Sequence, residues 1–173
     1  MYEKITRLLS RFMKPAAIFK MLFNLSPMYR RSTGRIVSVS DDLMHVQIRI
    51  PLNFKNRNYV GSVFGGSLFS ATDPIYMIQL VQILGKGYVV WDKAAHIHFK
   101  KPARETVYAT FEFTPEEIAA IRGRIAQEHE LTFEKQVDII AADGTICCVI
   151  QRDIYIADKA FYKNKQQARV SKD

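Results

Sequence analysis

The sequence predicts an α+β domain in which one long apolar helix is wrapped by a mostly antiparallel sheet of about six strands. Three observations predict it. A helical apolar pattern runs from Ser67 to Leu84 and stops at Gly85 and Gly87. Two alternating segments precede it, and four strand-like segments follow. At 173 residues the chain suits one domain of ordinary size, and 48% hydrophobic residues exclude a disordered chain.

The elements follow in order. Ile5, Leu8, Leu9, Phe12 and Met13 share one face of an amphipathic helix over residues 2–14. Pro15 suits the first turn of a second helix, which Ser26-Pro27 ends near Leu25. Arg35–Ser40 is a short strand and Asp41-Asp42 a turn. Leu43–Ile50 places Met44, Val46, Ile48 and Ile50 on one strand face. Asn53–Asn58 is a polar loop that leads into the glycine-rich stretch Asn58–Gly66. Beyond the long helix, Tyr88–Phe99 and Thr106–Thr114 are strands, the second with Val107, Ala109, Phe111 and Phe113 on one face. Thr114 is an N-cap for a helix over Pro115–Gln127, with Glu116 and Glu117 suited to its first turn. Glu130–Ala141 and Thr145–Ile156 are long strands joined at Asp143-Gly144, a short-hairpin signal. Beyond Asp158 a polar, basic tail is expected to fray. The organisation is thus a helical extension over residues 1–30, a domain over 31–157 and a basic tail over 158–173.

Charge narrows the function classes. The net charge is +8, but it sits at the ends. Residues 1–35 hold eight Lys or Arg and one acid, and residues 157–173 hold five and two, so the stretch between has 12 bases and 14 acids. A folded face that reads nucleic acid carries its own positive charge, and this body does not, so no nucleic-acid partner is expected. The basic N-terminal helices either cap the domain core or lie on an anionic membrane surface. No stretch approaches the length of a membrane span. Cys147 and Cys148 are adjacent, which excludes a disulfide framework and points to a reducing, cytoplasmic setting. On their strand they are small packing residues. His96 and His98 share a strand face, yet no third ligand lies nearby in sequence, so no metal site is expected.

The stretch Asn58-Tyr-Val-Gly61-Ser-Val-Phe64-Gly65-Gly66-Ser-Leu-Phe69-Ser-Ala-Thr-Asp73 resembles the hotdog-fold acyl-CoA thioesterase superfamily, in particular its phenylacetate-pathway and tetrameric acyl-CoA thioesterase-like branch. His96-Ile-His-Phe-Lys-Lys-Pro102-Ala is similar to that family's third strand and the turn after it. The resemblance covers residues 27–157. It implies a hotdog fold, an acyl-CoA thioester as substrate with no cofactor, and a homodimer or homotetramer with acyl sites between subunits. It also implies site roles for Gly65, Gly66 and Asp73. Phe64 stands where many relatives have His, which puts histidine-dependent chemistry in doubt.

Thioester hydrolysis needs donors for the carbonyl oxygen and an activated water or nucleophile. Gly65 and Gly66 at a helix N-terminus offer backbone N–H groups that lack helical partners, or they merely permit tight packing. Asp73 is read two ways: as a base or nucleophile, or as a cap and kink before Pro74. It lies nine residues past Phe64, about 900° around a helix, so the two project to opposite sides and would meet only across a dimer. Asn58 and Gly61 either shape the loop or orient the thioester. Thr72 and Ser70 bond near the site or to the preceding helical turn. Lys100, Lys101 and Arg104 are candidates for the CoA phosphates, with Arg122 and Arg124 as a second cluster. The alternative function is a non-catalytic module that binds acyl-CoA or serves as an assembly scaffold.

Overall fold

The computed structural model describes Leu9 and residues 12–170; the helix expected over residues 2–14 lies almost wholly outside them. The described elements run α1 (Pro15–Leu25), α2 (Pro27–Arg31), β1 (Arg35–Val39), β2 (His45–Ile50), α3 (Gly65–Thr72), α4 (Ile75–Leu84), β3 (Tyr88–Phe99), β4 (Val107–Glu112), α5 (Pro115–Glu128), β5 (Glu130–Ile140), β6 (Ile146–Asp158) and α6 (Lys159–Val170).

The six strands form one sheet in the order β1-β2-β4-β5-β6-β3, and every pairing is antiparallel. Strand alternation decides which face is apolar. Val46, Ile48 and Ile50 on β2 and Val107, Ala109 and Phe111 on β4 are all buried, as their period of two requires. The α3–α4 unit lies on that face and buries Leu68, Ala71, Ile75, Tyr76, Leu80 and Leu84 against it. This is a hotdog architecture, a central helix wrapped by a sheet.

Two expectations need correction. The single helix over Ser67–Leu84 is two segments. Pro74 has no N–H for the helical ladder, and its ring crowds the carbonyl four residues back, so the helix breaks at Asp73-Pro74. The apolar stripe survives the break because both segments keep the same face on the sheet. The basic tail is also not frayed: Lys159–Val170 is a helix. Its first turn is held by the Asp158 carboxylate, which accepts from the N–H groups of Ala160 and Phe161, both at 2.9 Å. Tyr162 packs edge-on against Trp91, and Lys165 pairs with Glu130 at 2.6 Å.

Local chemistry explains the remaining ends. Gly85 closes α4 with φ +86°, and Gly144 turns the β5–β6 hairpin with φ +84°, both in the region glycine tolerates best. Thr114 and Glu117 form a reciprocal capping box at α5.

Candidate functional site

The glycine-rich stretch is a loop whose own side chains set its shape. The Asn58 Oδ1 accepts from the N–H groups of Val60 and Ser62, and its amide donates to the Ser62 hydroxyl at 2.9 Å. Gly61 holds φ +79° in the same turn. Asn58 and Gly61 therefore build the loop. The residue sequence reasoning missed is Asn56. It is buried, and its side chain ties this loop to the Thr33 hydroxyl and the Pro51 carbonyl, both at 2.8 Å. Its own carbonyl accepts from Phe64 N–H at 2.7 Å. That bond fixes the chain one residue before α3.

The head of α3 is Gly65-Gly66. Among the described residues, neither backbone N–H has an acceptor. Both point from the positive end of the helix dipole. Aromatic rings crowd the two Cα atoms. A Cβ at Gly65 would come within 2.7 Å of the Phe99 ring, and one at Gly66 within 2.3 Å of the Phe64 ring. Glycine thus leaves room for these exposed rings beside the two Cα atoms, and the amides stay open. Phe64 and Phe99 are each 58% exposed, and Phe54, Tyr59 and Val60 on the same loop are also exposed. Phe64 and Phe99 give the helix head an apolar rim.

The turn after β3 is brought to this rim. Lys100 and Lys101 donate their N–H groups to the Cys147 carbonyl, and the Ala103 carbonyl accepts from Val63 N–H at 2.8 Å. The side chains of Lys100, Lys101 and Arg104 are exposed. Arg122 lies apart, donating to the Ile83 carbonyl, and Arg124 pairs with Glu128 on α5.

Asp73 sits at the other end of α3. Its side chain is 54% exposed. It caps nothing: neither α3 nor α4 has a side-chain cap. Instead its Oδ1 accepts from the Arg152 guanidinium at 3.1 Å, and Oδ2 has no partner among the described residues. Arg152 is 1% exposed, also donates to Asp92 at 2.9 Å, and lies over the Phe69 ring with 5.0 Å to the centroid. Thr72 approaches Arg152 at 3.4 Å and donates its hydroxyl back to the Phe69 carbonyl at 2.8 Å. Ser70 likewise turns back to the Ser67 carbonyl.

The Arg152–Asp92 pair also escaped sequence reasoning, although the signal was present. Arg152 interrupts the inward row Cys148, Ile150, Ile154 and Ile156, where a charge is costly without a partner. Burial holds the Asp92 carboxyl above the usual carboxylate range, the Arg152 charge opposes that rise, and the Asp73 charge adds to it.

Gly65 and Asp73 are eight residues apart, about 12 Å along a helix axis. In one protomer the open amides and the carboxylate do not share a cleft. His96 and His98 are exposed on β3, at the sheet edge. Among the described residues no group of three or more His, Cys, Asp or Glu could hold a metal ion. Cys147 and Cys148 are buried, and burial raises both thiols, Cys148 to about 11. Among the described residues no helix is long and apolar enough to cross a membrane.

Comparison with curated proteins finds no match. Solved structures do match in fold. The crystal structure of a Pseudomonas aeruginosa protein of unknown function, described as a probable thioesterase, has a TM-score of 0.73 at 15% identity, covering 82% of this chain and 95% of its own. A Haemophilus influenzae thioesterase matches with TM-score 0.60 at 14% identity, covering 84% and 92%. A variant of a second Pseudomonas aeruginosa thioesterase matches with TM-score 0.63 at 10% identity, covering 85% and 97%. A family model described as "Domain of unknown function (DUF4442)" spans residues 15–156. The chain therefore belongs to the DUF4442 family and has the hotdog fold of the thioesterase superfamily.

Proposed function

We propose that this protein hydrolyses acyl-CoA thioesters at a cleft formed between two protomers. One observation carries the reading: open amides at the head of α3 and a half-exposed carboxylate at its tail, about 12 Å apart. Strand β3 supplies the geometry that joins them. It is an edge strand bonded on one side only, to β6. Its Phe99 lies at the α3 head, and its Asp92 reaches the α3 tail through Arg152. Two copies paired antiparallel along β3 bring the Phe99 end of one to the Asp92 end of the other. Each glycine head then faces the other protomer's Asp73, and an exposed sheet edge is covered.

In that cleft the thioester carbonyl oxygen accepts from the Gly65 and Gly66 N–H groups. The Asp73 carboxylate takes a proton from water, which attacks the carbonyl carbon. The C–S bond breaks, the departing thiolate takes that proton from Asp73, and a carboxylic acid and the CoA thiol leave. Arg152 holds Oδ1 of Asp73 and leaves Oδ2 for the water. The exposed aromatic rim receives the acyl chain, and Lys100, Lys101 and Arg104 lie at its edge for the anionic carrier. Protein groups and water suffice for the reaction, and the only CoA is the substrate's own. Oligomerisation is part of the reading, because the site is incomplete in one chain.

A second reading has its own support. Phe64 stands in place of a histidine, and Asp73 is already ion-paired, which suits a module that binds acyl-CoA without hydrolysing it. Purified protein assayed against short, medium, long and aryl acyl-CoA separates the two. Asp73→Asn is expected to lower kcat by about 100-fold or more with unchanged folding and assembly. Unchanged turnover in that variant removes Asp73 from the reaction. Tight acyl-CoA binding with no turnover in wild type establishes the module instead.

A further inference from the structure

We infer that a depression beside the polar loop that carries Lys55 is a binding site for a phosphate-bearing anion. It has a volume of about 440 Å³ and is lined by Pro27, Arg30, Arg31, Thr33, Arg35 and Lys55. Four of these six residues are cationic, and none is acidic. They come from three separate segments, α2, β1 and the polar loop before the glycines. Among the described residues no carboxylate pairs with any of the four, although Lys14, Arg124, Lys135, Arg152 and Lys165 all have acidic partners. Among the described residues the Arg35 guanidinium bonds only the Gly34 carbonyl, at 2.8 Å.

The fold brings these charges together at some cost. Thr33 holds φ +67°, an unusual backbone for a β-branched residue. That turn joins α2 to β1, and Arg30, Arg31 and Arg35 line the same depression. The buried hydrogen bond from Asn56 to the Thr33 hydroxyl ties the loop carrying Lys55 to it. Like charges gathered with no counter-charge among the described residues repel one another, and a bound polyanion removes that repulsion. Guanidinium groups in such a cluster suit phosphate oxygens, which they bind in pairs.

The position connects the pocket to the proposed reaction, and this part of the inference rests on that reading. Lys55 adjoins Asn56, whose carbonyl bonds the N–H of Phe64 at the head of α3. One loop therefore carries a residue of the pocket and anchors the head of α3. The nucleotide end of CoA carries a pyrophosphate and a separate ribose phosphate, so that Lys100, Lys101 and Arg104 suit one and the pocket suits the other. An anionic lipid headgroup shares that chemistry.

The test titrates the full chain and the variants Arg31→Glu and Lys55→Glu with inorganic pyrophosphate, free CoA and vesicles containing phosphatidylglycerol. Binding is followed by calorimetry, thermal shift and co-sedimentation. Both positions are exposed, so the variants should fold, and circular dichroism with a thermal melt confirms it. Wild type is expected to bind pyrophosphate and CoA, more weakly as salt rises, with each variant at least about tenfold weaker. Vesicle binding that the variants lose, without binding of either soluble ligand, supports the same site with a lipid source. No binding of any of the three, or equal binding by variants and wild type, overturns the inference. A thioester lacking the nucleotide separates the two proposals. Its hydrolysis should be unaffected by Arg31→Glu. Absence of all hydrolysis beside intact pyrophosphate binding would remove the thioesterase and leave the anion site standing.

Discussion

Replacing Arg152 by methionine keeps much of the side-chain volume and removes the charge that compensates Asp92. The Asp92 side chain is 20% exposed, and its Oδ1 is buried with no partner, so Arg152 supplies the main compensation for that carboxylate. Breaking a buried pair by removing one partner costs about 3–5 kcal/mol. The half-exposed Asp73 adds little, because solvent screens it. For a chain of this size the loss corresponds to roughly 6–20 °C in Tm. The pH dependence gives a second check. Burial already raises the Asp92 carboxyl above its unfolded value, against the pull of Arg152. A raised acid contributes most to stability below its unfolded pKa and loses that contribution as pH rises through its folded pKa. Without Arg152 the folded value rises further. The deficit of Arg152→Met should therefore be largest near neutral pH and narrow as pH falls toward the carboxylate range. Urea unfolding of wild type, Arg152→Met and the double variant with Asp92→Asn measures all of this. The double variant should recover much of the loss, since no buried charge is left alone. A deficit below about 1 kcal/mol at neutral pH, or one that does not change with pH, would refute the reasoning.

Two further substitutions probe the site and its frame. Gly66→Ala pushes the Phe64 ring aside; because that ring is 58% exposed, stability should change by less than about 1 kcal/mol, while thioester hydrolysis falls by about 10- to 100-fold as the ring moves across the amide mouth. Adding Phe64→Ala should restore turnover, read as kcat in the same assay. Thr114→Ala removes the acceptor of Glu117 N–H and half of the α5 capping box, and should cost about 1 kcal/mol in a urea melt with hydrolysis unchanged.

The sequence by itself determined the strands, their inward faces and the helix after Thr114. Period-two alternation on β2 and β4 placed Val46, Ile48, Phe111 and their neighbours in the core, and hydrophobic burial acts on that pattern whatever the topology. It also marked the glycine head and Asp73, because bare backbone and an acid in an apolar helix are visible as residue types. Tertiary structure alone decided what those groups touch. Asp73 came with two readings, and the kink at Pro74 is local, but the carboxylate bonds Arg152 from 79 residues away. Asn58 also came with two readings, loop shaping and thioester orientation, because an isolated Asn gives no sign that its amide will be used by its own turn. The tail was read as frayed because Lys159–Val170 is polar, whereas its order comes from Trp91 and Glu130 on strands far along the chain, with Tyr155 of the preceding strand beside them. Local chemistry fixes periodicity and caps within a few residues, while charge pairing and ring contacts depend on which strands the sheet sets side by side.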